Sequence, residues 1–340
     1  ASSFIASATF ENEPAPMLFI LPDREEAAYF LNDLENLNPG HSVFFFPSSY
    51  RKPFKLNAHE NASIQMRTEV LSHINKNSKF FIVVSYAEAV AENVVTRHAL
   101  EKNTIEARVG EQLSIDFVND FLTENNFQRT DFVFEPGQFA IRGGIVDVYS
   151  YAYELPFRLE FDGNKIESIR SFNPVTQLSE KNLHFVTIIP NIQTEMKQNV
   201  TESFFKFLPE NTLIWTRDLS YSLNYLDDNL TVLKNQSPEN DEDEKGDDPK
   251  IVYDSIEDIK SVLSTFKQVE FGLKSFYENA VGIKFNVQPQ PQFNKNFNLL
   301  AGHLKANSDK HFKSYIFSDS AKQVERIYAI FDDLSFKKEV

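Results

Sequence analysis

The feature that most constrains the fold is a rhythm in the first 110 residues. Short, unbroken apolar runs alternate with segments whose apolar residues recur at helical spacing. The runs are "MLFIL" (17–21), "SVFFFP" (42–47) and "KFFIVVS" (79–85). Runs this short, with no polar alternation, predict strands buried on both faces of a parallel sheet. After the first run, "PDREEAAYFLNDLENL" predicts a helix. Asp23 stands at its N-cap with Glu26 three residues on, and Ala27, Phe30, Leu31 and Leu34 share one face. Further helices are expected over 60–74 and 86–96, and Pro47 ends the second strand. The pattern implies an α/β domain with helices on both faces of its sheet.

Near residue 110 the texture changes. A helix at about 114–125 gives way to "DFVFEPGQFAIRGGIVDVYS" and "LPFRLEFDGNKIESIRSF". In the second piece Phe157, Leu159 and Phe161 alternate with Arg158, Glu160 and Asp162, and "DGN" (162–164) supplies a hairpin turn. An α+β insertion with an antiparallel sheet is expected here. After about 190 the α/β rhythm returns: "NTLIWT" (211–216) predicts a strand, and Asp218 could cap the helix behind it. The acidic run 236–250 reads as a solvated loop and 288–298 as a linker. "KSYIFSDSAKQVERIYAIFDDL" predicts one more strand and helix. One such pair cannot close a core, so a domain cut short, or completed by neighbouring segments, is expected.

Several function classes recede. A phosphate-binding loop needs glycines and a lysine, yet no Gly precedes Gly40 and no Lys or Arg lies between Ala1 and Pro22. There is no Cys, hence no thiolate chemistry or disulfide framework, and a cytoplasmic location is expected. No apolar run approaches the roughly 18 residues of a membrane span. The opening Ala fits an excised piece of a longer chain, and no signal peptide is read. His41, His59, His73, His98, His184, His303 and His311 never pair at metal-ligand spacing. The Asp227–Asp228 pair reads as ordinary surface. A formal net charge of −15 repels phosphate backbones, so duplex DNA is not the expected partner of the chain as a whole.

The stretch "GQFAIRGGIVDVYS" (137–150) stands apart, because Arg142 and the strand-weakening pair Gly143–Gly144 interrupt a good strand pattern. One reading is structural: an exposed strand arginine paired with Glu160 or Asp147, and glycines forming a bulge or close packing. The other is functional: Arg142 and Arg158 project from neighbouring strands of one sheet face, left uncovered by the glycines, to meet a partner's carboxylates. On either reading the two arginines are expected to be exposed and to matter little for folding.

"GQFAIRGGIVDVYS" followed by "LPFRLEFDGNKIESIRSFNPVTQLS" resembles the signature of the bacterial transcription-repair coupling factors (Mfd). Their N-terminal module is related to the excision-repair protein UvrB. The resemblance covers residues 1–275 well and 285–340 more loosely. It implies a degenerate P-loop helicase-like (UvrB-like) α/β domain in two pieces, 1–110 and 191–275. An inserted α+β domain, 111–190, would bind UvrA, and a small C-terminal α/β segment of unknown role would occupy 285–340. The implied function is recruitment of UvrA to a stalled RNA polymerase by mimicry of UvrB, with no catalysis in this fragment. The family's UvrA-contacting arginines fall on Arg142 and Arg158. A third contact, aromatic in some members, falls on Asp162, where this sequence departs from the pattern. Gly143, Gly144 and Asp147 support the motif. No cofactor is expected here, since the family's ATP-driven translocase and its polymerase-binding and DNA-binding regions lie C-terminal to such a module. Neither a membrane nor a small-molecule substrate is expected. One alternative is a UvrB-type damaged-DNA-binding ATPase, and another is a metabolic α/β enzyme. The first is weakened by the missing phosphate loop, and the second would show itself by a ligand-dependent rise in melting temperature.

Overall fold

A computed structural model describes residues 2–49, 58–76, 79–192, 201–235, 251–272, 275–286, 288–318 and 320–334. The acidic run 236–250 lies outside the described residues. The chain divides into two compact units, residues 1–280 and 281–340.

The first unit opens with helix α1 (Ser2–Asn12), then β1 (Met17–Leu21), α2 (Arg24–Leu37), β2 (Val43–Phe45), α3 (Ala58–Asn75) and β3 (Ile82–Tyr86). Every residue of β1 and of β3 is buried, as strands covered on both faces must be. Helix α2 starts where its sequence says: Asp23 accepts a hydrogen bond from the Glu26 amide at 2.8 Å, and Ala27, Phe30 and Leu34 are buried. The helix expected over 86–96 is shorter. It is α4 (Ala87–Ala91), followed by β4 (Val94–Val95) and α5 (Arg97–Lys102). Paired Val94 and Val95 take strand geometry opposite β13 (Thr201–Glu202), which suits β-branched side chains better than a helix does.

Next come β5 (Ile105–Arg108), α6 (Ile115–Glu124), β6 (Gln128–Arg129), β7 (Gln138–Arg142), β8 (Ile145–Val148), β9 (Phe157–Asp162), β10 (Lys165–Phe172), β11 (Ser179–Leu183) and β12 (Phe185–Ile188). Strands β6 to β11 form a six-stranded sheet, order β11-β10-β9-β8-β7-β6, antiparallel except at β6–β7. Strand β12 pairs with β5. The chain then supplies β14 (Leu213–Arg217), α7 (Leu219–Asn235), α8 (Ile256–Leu263) and β15 (Lys267–Phe271). These last two strands complete a parallel five-stranded sheet, order β15-β14-β1-β3-β2. The parallel sheet is thus built from segments on both sides of the antiparallel one, and each sheet has its own apolar core.

A buried ion pair locks one end of the parallel sheet. Arg67 on α3 meets Glu92, just after α4, at 3.0 Å, with both side chains almost wholly buried. Arg67 also donates to the Pro47 carbonyl and lies over the Phe46 ring, while Glu92 accepts from the amide and hydroxyl of Ser49. Burial pushes the Arg67 pKa down and that of Glu92 up, so these added hydrogen bonds are what make the pair tolerable.

The second unit contains α9 (Phe297–Asp309) and α10 (Ala321–Asp333). It corrects the expectation of a strand and an α/β segment: residues 313–318 form no regular element, and no strand occurs among the described residues of 281–334. Strand geometry needs a hydrogen-bonded neighbour. Without one, Tyr315, Ile316 and Phe317 stay exposed.

Candidate functional site

The interrupted stretch is not one strand but two. Strand β7 ends at Arg142, Gly143 and Gly144 turn the chain, and β8 begins at Ile145, with Arg142 paired to Ile145. Gly143 has φ +59°, the conformation that a two-residue hairpin turn asks of glycine. Gly144 is needed for room: a Cβ there would sit 2.9 Å from the Phe161 carbonyl oxygen of β9. The close-packing part of the structural reading holds, while the bulge is replaced by a turn.

Alternation sorts the sheet into two faces. Phe139, Val146, Val148, Phe157, Leu159, Phe161, Ile166 and Ile169 point to the apolar core beneath α6. The register places Arg142 and Ala140 of β7, Ile145 and Asp147 of β8, Arg158, Glu160 and Asp162 of β9, and Ser168 and Arg170 of β10 on the opposite face. Arg142 and Arg158 therefore do share a face, but not on neighbouring strands, because β8 runs between them. From that strand Asp147, with no exposed surface, binds both. Arg158 makes a two-pronged contact, Nε to Oδ1 at 2.7 Å and Nη2 to Oδ2 at 2.9 Å. Arg142 donates to Oδ2 of the same carboxylate and to the Asp131 carbonyl. The hydrogen bond to Asp147 raises the Arg158 pKa, so this side chain stays a cation at any working pH. Each guanidinium also lies over a ring, Arg142 over Phe132 at 5.3 Å and Arg158 over Phe172 at 4.6 Å.

The expected exposure is corrected for Arg158, whose side chain is 17% exposed against 39% for Arg142. Two cations held by one buried carboxylate leave this trio with one net positive charge. Glu160 pairs with Arg170 and accepts from Ser168 rather than from Arg142. Asp162 ends β9 in an exposed position opposite Lys165 across the β9–β10 turn. Sequence reasoning did not single out Phe132, Phe172 or Arg170. The signal available was alternation, since Arg170 stands opposite Arg158 in the hairpin that the sequence does specify.

The charged face is bounded by two connections. In 130–137, Val133 is buried with Ala140, Tyr149 and Phe172, while its neighbours Phe132 and Phe134 face outward. In 173–178, Asn173 accepts from the amides of Val175 and Thr176, and Gln177 donates to the Val133 carbonyl at 3.2 Å. Among the described residues no group of three or more His, Cys, Asp or Glu is placed to hold a metal ion. No described helix is long and apolar enough to cross a membrane.

Comparison with known proteins gives this site a context. Residues 105–193 match the family described as the UvrB interaction domain. The chain is 30% identical over 192 residues to the transcription-repair-coupling factor of Bacillus subtilis, covering 56% of this chain and 16% of that protein. It is 28% identical over 182 residues to the coupling factor of Myxococcus xanthus, covering 52% and 15%. It is also 24% identical over 186 residues to UvrABC system protein B of Oleidesulfovibrio alaskensis, covering 51% and 27%. These matches uphold the resemblance to the N-terminal module of coupling factors. The chain spans about a sixth of the length of the coupling factors it matches.

Proposed function

We propose that this chain is the recruiting module of a transcription-coupled excision-repair protein, and that the charged face of its six-stranded sheet binds UvrA. The observation that carries the reading is the paired display of Arg142 and Arg158, on one face, within the segment that matches the UvrB interaction domain. Asp147 fixes both guanidinium groups before any partner arrives, which lowers the ordering cost of binding. Arginine forks so oriented suit carboxylates on a partner. On this reading residues 1–110 and 191–275 are the two pieces of a UvrB-like, degenerate helicase-like domain, and 111–190 is the inserted partner-binding domain. The module itself does no catalysis. RNA polymerase and DNA are engaged by parts of the protein outside this chain, in the cytoplasm.

The turn from β1 to α2 supports a non-catalytic role. Where a nucleotide-binding strand and helix would place glycines and a lysine, this chain has Pro22 and Asp23, and the Asp23 carboxylate already accepts from the Glu26 amide. The test is titration of the intact chain against UvrA from the same organism. The wild-type chain should bind, and Arg142→Ala and Arg158→Ala should each weaken binding roughly thirtyfold. Absence of binding by the wild-type chain overturns the reading. The likeness to UvrABC system protein B keeps a damaged-DNA-binding ATPase as the second reading, which salt-resistant DNA binding together with ATP binding would favour.

A further inference from the structure

Arg142 has an aromatic companion that the recruiting role does not by itself require. Phe132 is 52% exposed, carries the Arg142 guanidinium over its ring at 5.3 Å, and is one of a set: Phe134, Val175 and Leu178 are also exposed. Isolated exposed apolar residues are ordinary, but four of them on two connections bonded to each other are not. Nor are they loosely held. Val133 anchors the first connection in a small core, the Thr130 hydroxyl donates to the Phe132 carbonyl at 2.9 Å, and the Gln138 side chain accepts from the Phe134 amide at 2.9 Å. Gln177 ties the second connection to the first. Phe132 is thus presented outward by a fixed backbone, at little ordering cost.

We infer that Phe132 is the apolar anchor of the partner-binding face, with Phe134, Val175 and Leu178 around it. The partner is then a protein surface with an apolar pocket rimmed by carboxylates. This rests on the proposed role of Arg142 and Arg158 in binding UvrA. Charge argues for that occupant. The chain carries −15 overall, yet here the Arg142–Asp147–Arg158 group is net positive, and Arg142 keeps donors beyond those given to Asp147 and Asp131. An acidic rim meets the arginine while an apolar pocket takes the ring, the pairing of aromatic and arginine that concentrates binding energy at interface centres. Asp162, at the far end of β9, offers a carboxylate instead and supplies no apolar contact.

The experiment is UvrA affinity of the intact chain by titration at two salt concentrations. The variants are Phe132→Ala, Phe132→Leu, Arg142→Ala and the double variant Phe132→Ala/Arg142→Ala, each with a melting curve. Phe132→Ala should lose roughly tenfold or more in affinity at unchanged melting temperature, by about the same factor at both salt concentrations. Phe132→Leu should recover most of the loss. The double variant should be clearly weaker than Arg142→Ala, though by less than the product of the two single losses, because the ring and the guanidinium also touch each other. Wild-type affinity for Phe132→Ala, with binding still lost by Arg142→Ala, overturns the anchor and leaves the recruiting role intact. A double variant no weaker than Arg142→Ala also overturns it, since Phe132 then acts only by orienting the arginine. If the wild-type chain does not bind UvrA, both readings fall together.

Discussion

Asp147 is the residue on which the charged face turns. A carboxylate with no exposed surface is tolerable only because two guanidinium groups neutralise it. Removing one leaves the other, so Arg158→Ala should cost on the order of 2 kcal/mol of stability, less than the cost of a fully orphaned buried charge. Arg142→Ala, at the more exposed end, should cost less. Any loss of partner binding by Arg158→Ala must therefore be read beside its melting curve. Asp147→Asn separates the two effects. It removes the charge while keeping shape, frees the arginines to wander, and should weaken partner binding although both arginines remain; binding unchanged by it would show that preorientation contributes nothing. Gly144 is a second single-residue constraint. Gly144→Ala places a methyl group 2.9 Å from a backbone oxygen of β9, which cannot swing aside as a side chain could. It should destabilise the fold by about 1–3 kcal/mol, the usual cost of overpacking, measured by urea unfolding.

At the scale of elements, helix α3 meets the antiparallel sheet across a cavity of about 610 Å³, lined among others by Glu69, Glu154 and His184. Burial, reinforced by the nearby Glu154 carboxylate, pushes the Glu69 pKa from 4.5 up to about 7. Below pH 4.5 the group is protonated in folded and unfolded chains alike, and no penalty arises. Between pH 4.5 and 7 the unfolded chain releases its proton while the folded one keeps it, so stability falls as pH rises. Glu69 is partly solvated, and the loss is discounted to on the order of 1 kcal/mol. Glu69→Gln should remove this slope and raise the melting temperature at pH 8 but not at pH 4. The sequence shows α3 as a helix, because one element's periodicity is local, but not which carboxylate faces a cavity between elements. The same division runs through the molecule. Buried parallel strands were legible because "MLFIL" and the run at 79–85 have no polar alternation, and the "DGN" hairpin because alternation and turn chemistry agree. In the sequence the Gly143–Gly144 turn looks like an interruption of one strand, since its two strands form a nearly continuous apolar pattern. The sharing of Asp147 by two arginines depends on which strand lies between them, and strand order is not written in any one segment. The exposed run at 313–317 shows the converse: strand propensity was legible, but the neighbour a strand requires is absent from the described residues.

At the scale of the whole molecule, charge and sheet architecture bear on the same ligands, those carrying phosphate. The net charge of −15 opposes polyanions, so duplex DNA should bind only weakly and with an affinity that falls steeply as salt rises. The parallel sheet raises the sharper question, since open parallel sheets commonly bind nucleotides beyond the carboxyl ends of their strands. At that edge β1 leads into α2 through Asp23, whose carboxylate accepts from the Glu26 amide, with Glu25 and Glu26 in the first helical turn. The neighbouring strand β14 leads into Asp218 and α7, beside a cavity of about 460 Å³ that Asp218 and Glu270 line. A phosphate arriving at either helix start meets carboxylates; the cations there are already engaged, Arg24 at the start of α2 with the nearby Glu88 charge and Arg217 on β14 with Glu26 at 3.2 Å. Helix amides attract anions only while they remain unclaimed. The chain should therefore show no saturable heat of binding with millimolar ATP and magnesium, and no rise in melting temperature, where a ligand at a hundred times its Kd would stabilise by about 2.7 kcal/mol. The control is the Asp23→Gly variant, which frees the Glu26 amide but adds no lysine and should remain unresponsive. A clear melting shift with ATP in the unaltered chain would overturn this argument and bring the damaged-DNA-binding ATPase reading forward.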